Sequence, residues 1–260
     1  MIAKRATMED VKIKVLIWGE PGSGKSRFAL TFPKPLVIDL EKSTAWYAKE
    51  FDFYKAEIDK SRKETKNATI LTKTIIDEII SGEYRGEIET LIIDPITDLL
   101  DNIETLCIGD YEKMINKKVS ELNQLEKTKW YAFRRDKTRE MLDMIIQLPV
   151  NIVWVARSKN MWDKKDGKMQ PIGKTFDGLD IIEYLPDLVL QLESDSIYVK
   201  KSRIGKIEKI EEKTWDGIMK AVVDEKNKTL STREEVEGLR NFIKTPGEVK
   251  DIFKKKKEAV

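Results

Sequence analysis

Chemistry in this chain starts at Gly19-Glu20-Pro21-Gly22-Ser23-Gly24-Lys25-Ser26, a Gly-x-x-x-x-Gly-Lys-Ser run. Its glycines carry no Cβ, so successive backbone N–H groups can wrap an anion at the start of a helix, where unpaired donors favour negative charge. Lys25 is spaced to reach the β- and γ-phosphates of a nucleotide, and the Ser26 hydroxyl to ligate Mg²⁺. Gly19 to Ser26, with Arg27 next to them, are therefore the candidate nucleotide-binding residues of a P-loop. A Gly-rich turn with no ligand is the bland alternative.

A phosphate site needs carboxylates and cations around it. Thr90-Leu91-Ile92-Ile93-Asp94 reads as a buried strand that delivers Asp94 to the binding edge of a sheet, the Walker B pattern, in which the aspartate and Ser26 hold Mg²⁺. Pro35-Leu36-Val37-Ile38-Asp39-Leu40-Glu41 ends in two carboxylates that point to the same face. Either one faces the γ-phosphate, or both are strand-end charges or a cap for the segment 43–50. Val150–Ala156 is a further apolar strand, and it ends in Arg157, which faces the γ-phosphate or is solvated. The chain has no histidine, which excludes Ser-His-Asp, Cys-His and histidine-zinc chemistry and leaves carboxylates, Lys, Arg and an oxygen-ligated metal.

The elements that must hold these groups form a strand–helix alternation. Val11–Trp18 is a central strand, Arg27–Phe32 a short helix stopped by Pro33, Asn67–Leu71 a short strand and Thr72–Ser81 a helix. Pro95 opens a helix over Ile96–Ile108. Residues 109–136 are charged with interleaved aromatics (Tyr111, Trp130, Tyr131, Phe133). They read as an amphipathic helix packed on the domain, or as a nucleic-acid contact with Arg134 and Arg135. A helix over Lys137–Leu148 follows. Ser158–Lys174 reads as a long lysine-rich loop with Lys159, Trp162, Lys164, Lys165, Lys168 and Lys174, suited to single-stranded nucleic acid or simply solvated. Asp177–Tyr184 is a short helix, Leu188–Leu192 and Ser196–Lys200 an antiparallel edge extension, Ile207–Ile210 strand-like and Trp215–Val223 helix-like. The Lys254–Lys257 run is a solvated end or a weak electrostatic contact.

The fold class is α/β, with a mostly parallel central sheet flanked by helices. It divides into a lead-in (1–10), a core (11–204) and a C-terminal extension (205–260). At 260 residues the chain has enough core to fold without staples. Forty-eight Lys and Arg against 46 acidic residues leave no global basic field, so any nucleic-acid contact is local. The single cysteine, Cys107, reads as a small buried hydrophobe. With no leader segment and no membrane-length apolar run, the expected setting is the cytoplasm, that of a host cell if the source is viral.

With Lys25, Glu41, Asp94, Arg157 and Lys201 placed, residues 11–204 resemble the RecA-like P-loop ATPases, and more narrowly the RecA-core NTP-binding and single-strand-annealing proteins of phages and archaeal viruses. The resemblance implies a Mg-dependent ATPase coupled to single-stranded DNA in recombination, annealing or replication. It implies ATP and Mg²⁺ as ligands and a homo-oligomeric ring or filament. It makes Glu41 the activator of water, and Lys201 and Arg203, spaced Lys-x-Lys fashion, fingers acting on a neighbour's site. The segment 158–174 corresponds to the family's DNA-contacting loop. At the sensor position, where the family often has glutamine or histidine, this chain has Arg157.

Other P-loop classes compete. A AAA+ ATPase, such as a helicase loader or a packaging motor, shares the loop but places its catalytic glutamate directly after the Walker B aspartate, where this chain has Pro95. A nucleotide kinase carries an arginine-rich lid. A non-hydrolysing switch or scaffold leaves Glu41 structural.

Overall fold

The computed structural model describes residues 12–165, 168–207 and 210–229. The strands are β1 (Lys14–Gly19), β2 (Pro35–Asp39), β3 (Tyr54–Glu57), β4 (Thr90–Asp94), β5 (Asn151–Lys165), β6 (Lys168–Phe176), β7 (Leu188–Leu192) and β8 (Ile197–Ser202). The helices are α1 (Lys25–Ala29), α2 (Ala68–Ser81), α3 (Ile96–Ile115), α4 (Gln124–Ile146), α5 (Ile181–Tyr184) and α6 (Trp215–Thr229). The sheet runs β3-β2-β4-β5-β1-β7-β8. Its neighbours are parallel except for β7 with β8 and the β5–β6 hairpin. The α/β class and the antiparallel edge pair are thus as the sequence implies.

β2 and β4 are buried along their whole length, which is why both read as continuous apolar runs rather than alternating ones. Successive residues serve opposite faces. Leu16, Trp18, Leu36, Ile38, Leu91 and Ile93 pack under α2, α3 and α4. Val15, Ile17, Val37 and Ile92 pack under α1 and α6 with Phe28, Phe32, Ile218 and Met219. The result is a three-layer sandwich that opens its strand carboxyl ends along one edge, where ligands of such sheets bind.

Several expected elements differ. Asn67 is not a strand residue: its side chain accepts from Ile70 N at 2.9 Å and caps a single helix, α2, that begins at Ala68. Helix α3 runs on to Ile115, past the expected end at Ile108. Helix α4 starts at Gln124, behind a capping box between Asn123 and Glu126. Tyr111 of α3 stacks with Trp130 and Phe133 of α4 at centroid separations of 5.4 and 5.3 Å, so these three pack between two helices as the amphipathic alternative expects, while Tyr131 is exposed.

The expected loop 158–174 is a β-hairpin. β5 continues beyond Arg157 and pairs with β6 from Ser158↔Phe176 out to Lys165↔Lys168. Asp166-Gly167 between the paired lysines is a strong sequence signal for a hairpin, and it is the cue a reading by charge passes over. Ile207 and Ile210 are buried in one cluster with Phe28 and Ile218, and residues 208 and 209 of the expected strand lie outside the described set. The lead-in and the Lys254–Lys257 run also lie outside it.

Candidate nucleotide site

β1 ends at Gly19, in register with Arg157 of β5 on one side and Leu192 of β7 on the other. A Cβ at Gly19 would sit 2.2 Å from the Leu192 carbonyl oxygen, so only glycine lets the two strands close here. The loop then turns through Gly22 and Gly24, both at positive φ (79° and 86°). Gly24 precedes α1 with no side chain capping it, so the first amides of the helix have no side-chain partner. Lys25 Nζ donates to the carbonyls of Gly19 (2.9 Å) and Glu20 (2.8 Å), and so lies folded back over its own loop. Burial lowers the lysine pKa, and the carboxylates of Asp94, Glu41 and Glu20 oppose that.

Asp94 closes β4 beside the loop and is 5% exposed. Burial, with help from Glu41 and Asp39, raises its carboxyl to about 6 against a lowering hydrogen bond from Ser26. Its Oδ2 is buried without a hydrogen-bond partner among the described residues. An unpaired carboxylate oxygen beside a serine hydroxyl fits a hydrated Mg²⁺, which would supply both the missing partner and the compensating charge.

The two carboxylates that follow β2 separate in role. Asp39, fully buried, accepts from Ser43 N (3.1 Å), Thr44 N (2.8 Å) and Thr44 Oγ1 (2.6 Å), and so fixes the 3-10 turn Thr44–Lys49. Glu41 stays at the binding edge, where it accepts from Arg157 Nη2 at 2.6 Å and Nε at 3.1 Å. It also lines an open groove with Lys42, Glu57, Asp59 and Arg62 beyond the ends of β2 and β3. Arg157 Nη1 pairs with Asp98 at 2.6 Å, so the guanidinium is clamped between two acids. Asp98 sits in the first turn of α3, one helical turn past Asp94, and reading the strands alone misses it.

The structure therefore gathers Lys25, Ser26, Asp94, Glu41 and Arg157 at one edge. Lys201 and Arg203 stand elsewhere, at the end of β8 on the sheet's outer edge. Lys201 Nζ donates to the carbonyls of Glu183 and Tyr184, both at 2.7 Å, and Arg203 donates to Tyr184 and Leu185. Both cap the open end of α5. Arg27 pairs with Glu50 at 2.9 Å. Lys213 is a contact that no motif announces: it donates to the Ser23 carbonyl at 3.4 Å, to that of Ser194 at 2.6 Å and to that of Glu193, tying the P-loop to the turn after β7.

On the hairpin, Lys159 and Lys174 are engaged near its root, Lys159 with Asp177 (3.6 Å) and the Gly178 carbonyl (3.2 Å), and Lys174 with Glu20 (2.9 Å). Trp162, 54% exposed, and Lys164 lie further out on β5 beside Met169 and Pro171 of β6, and the backbones of Lys165 and Lys168 pair beyond them.

A parallel sheet with a Gly-x-x-x-x-Gly-Lys-Ser loop at its centre and a buried aspartate facing that loop defines a P-loop nucleotide-binding protein. The profile of the AAA domain, a P-loop NTPase family, matches residues 11–234. The chain belongs to that family. The match runs through the segment 205–229, whose described part packs into the core. No curated protein matches the chain. Among the described residues no helix is long and apolar enough to cross a membrane.

Proposed function

We propose that the chain is a Mg-dependent ATPase of RecA type in which Glu41 orients the attacking water. The observation that carries this is the placement of Glu41 at the strand edge within the electrostatic reach of Lys25, together with Asp94 and Arg157, while Pro95 fills the position a AAA+ glutamate would take. Lys25 would leave the loop carbonyls for the β- and γ-phosphates, and the loop amides would hold the transferring phosphoryl group in line. Ser26 and Asp94 would hold Mg²⁺, which when bound would supply positive charge to the phosphate oxygens. Arg157 would exchange one of its two carboxylate partners for the γ-phosphate and thereby free Glu41 to bind water.

The hairpin supports a single-stranded DNA partner, because Trp162 offers a stacking surface beside Lys164 on an arm that stands clear of the sandwich. The transaction is then of the recombination, annealing or replication kind, in a phage or viral setting by the resemblance above. Within an assembly, Lys201 and Arg203 would act on a neighbour's phosphates by giving up the α5 carbonyls.

ATP turnover with and without oligodeoxythymidine is the test. Wild type should turn over faster with the oligonucleotide, and Glu41→Gln should bind ATP but fall by two orders of magnitude or more in rate. Undiminished turnover in Glu41→Gln sinks the assignment of the base. Binding of ATP with no turnover in wild type under any condition favours a nucleotide-gated scaffold, which the Glu41–Arg157 ion pair would suit. Oligonucleotide binding that ignores salt removes the hairpin lysines from the account.

A further inference from the structure

Glu20 is the second residue of the P-loop, and it is bound on two sides. Its backbone carbonyl accepts from Lys25 Nζ at 2.8 Å and from Ser23 N at 3.2 Å, within the loop. Its carboxylate oxygen Oε1 accepts from Ser158 Oγ at 2.6 Å and pairs with Lys174 Nζ at 2.9 Å, outside the loop. Ser158 belongs to β5 and Lys174 to β6, near the point where the hairpin leaves the sheet. One oxygen atom thus joins both strands of the hairpin root to the loop that holds phosphate. The Ser158 hydrogen bond first, and the Lys174 ammonium next, hold this carboxyl below its ordinary range.

We propose that Glu20 is a positioning residue that couples nucleotide occupancy to the β5–β6 hairpin. The coupling rests on a nucleoside triphosphate binding the P-loop, and not on what the hairpin itself contacts. Its sign follows from the charges. In the structure Lys25 is a favourable cation near Glu20. When Lys25 turns to the phosphates its charge is neutralised there, and several negative oxygens arrive in the same loop. Glu20 then depends on Lys174 and Ser158 alone, so its hold on the hairpin root tightens. By reciprocity, a polyanion that draws Lys174 off Glu20 weakens the nucleotide by the same factor.

The experiment is hydrogen–deuterium exchange of the hairpin strands, with and without Mg²⁺ and a non-hydrolysable ATP analogue. Each chain is assayed at an analogue concentration that protects its own P-loop. In wild type, exchange near residues 158–162 and 173–176 should slow about two- to fivefold, the size expected of an exposed ion pair. In Ser158→Ala with Lys174→Met that slowing should vanish while P-loop protection is still registered. Glu20→Gln, which keeps the shape and loses the charge, should show most of the same loss, and it serves if the double variant folds poorly. Equal slowing in the variants, or a silent hairpin in a wild type whose P-loop is protected, overturns the coupling and leaves the nucleotide site standing. An unprotected wild-type P-loop overturns both.

Discussion

Asp94 is the most exposing test of the site, because its burial is costly until something pairs with it. A carboxyl raised from 3.8 to about 6 in the folded chain is bound by more protons folded than unfolded between those values. Stability is therefore highest below the unfolded pKa and is lost as pH rises through the folded one. At neutral pH the ionised, buried carboxylate costs about 3 kcal/mol relative to its protonated form. Most of a titration to acid is obscured by other groups, so the useful interval is pH 5 to 7.5. Over it the Asp94 contribution changes by about 1.4 kcal/mol, or about 3–6 °C in Tm for a chain of this size. Asp94→Asn removes the titration and keeps the shape. Any constant cost of a buried amide, and every other titrating group, cancels in the pH dependence of the difference between the two chains. Thermal melts without nucleotide should therefore show wild type losing about 3–6 °C against Asp94→Asn from pH 5 to 7.5. Parallel curves would refute the burial argument. Mg²⁺ with ADP should then stabilise wild type more at pH 7.5 than at pH 5.5, since cation and proton compete for one carboxylate, and should lose that pH dependence in the variant.

Two further substitutions test the frame around the site. Gly19→Ala places a methyl group 2.2 Å from the Leu192 carbonyl, so β1 and β7 must part. A loss of about 2–3 kcal/mol is expected in denaturant melts, with weakened nucleotide binding, and an unchanged midpoint would contradict the close approach. Trp215→Ala strips the ring that lies 4.8 Å from Phe32, behind the P-loop helix. It should cost about 2 kcal/mol, read as a Tm lower by about 4–8 °C, and a neutral result would mean that α6 adds nothing to that face.

Much of the site is legible in the sequence because its residues sit at the ends of apolar runs. Lys25, Asp94, Glu41 and Arg157 each follow a strand that could be read from composition alone, and a parallel sheet brings such ends to one edge. Spacing alone leaves the choice between Asp39 and Glu41 open, and only the resemblance points to Glu41. Thr44 decides it by taking the Asp39 carboxylate into a turn, and nothing in local spacing distinguishes that from a free strand end. The hairpin was hidden because a strand that leaves the sheet buries little: Met161, Trp162, Met169 and Ile172 are exposed there, so lysine content outweighed the pairing signal. Asp98, Ser158 and Lys213 reach the site only through partners distant in the chain, which leaves no local trace. Lys201 and Arg203 have the expected spacing, but in the single chain both are spent on backbone carbonyls.

The seating of α6 has a consequence for synthesis. Trp215 N donates to Thr31 Oγ1 across 184 residues of chain, and Ile218 and Met219 complete the layer over Val15, Ile17 and Phe28. β1 likewise acquires its two neighbours only with β5 and β7. The phosphate loop is thus translated before the strands and the helix that enclose it. Until residues near 220 leave the ribosome, Phe28 and Phe32 lack the cover that Trp215, Ile218 and Met219 provide. Enclosure of the phosphate loop therefore waits on a segment that lies far beyond it in the chain.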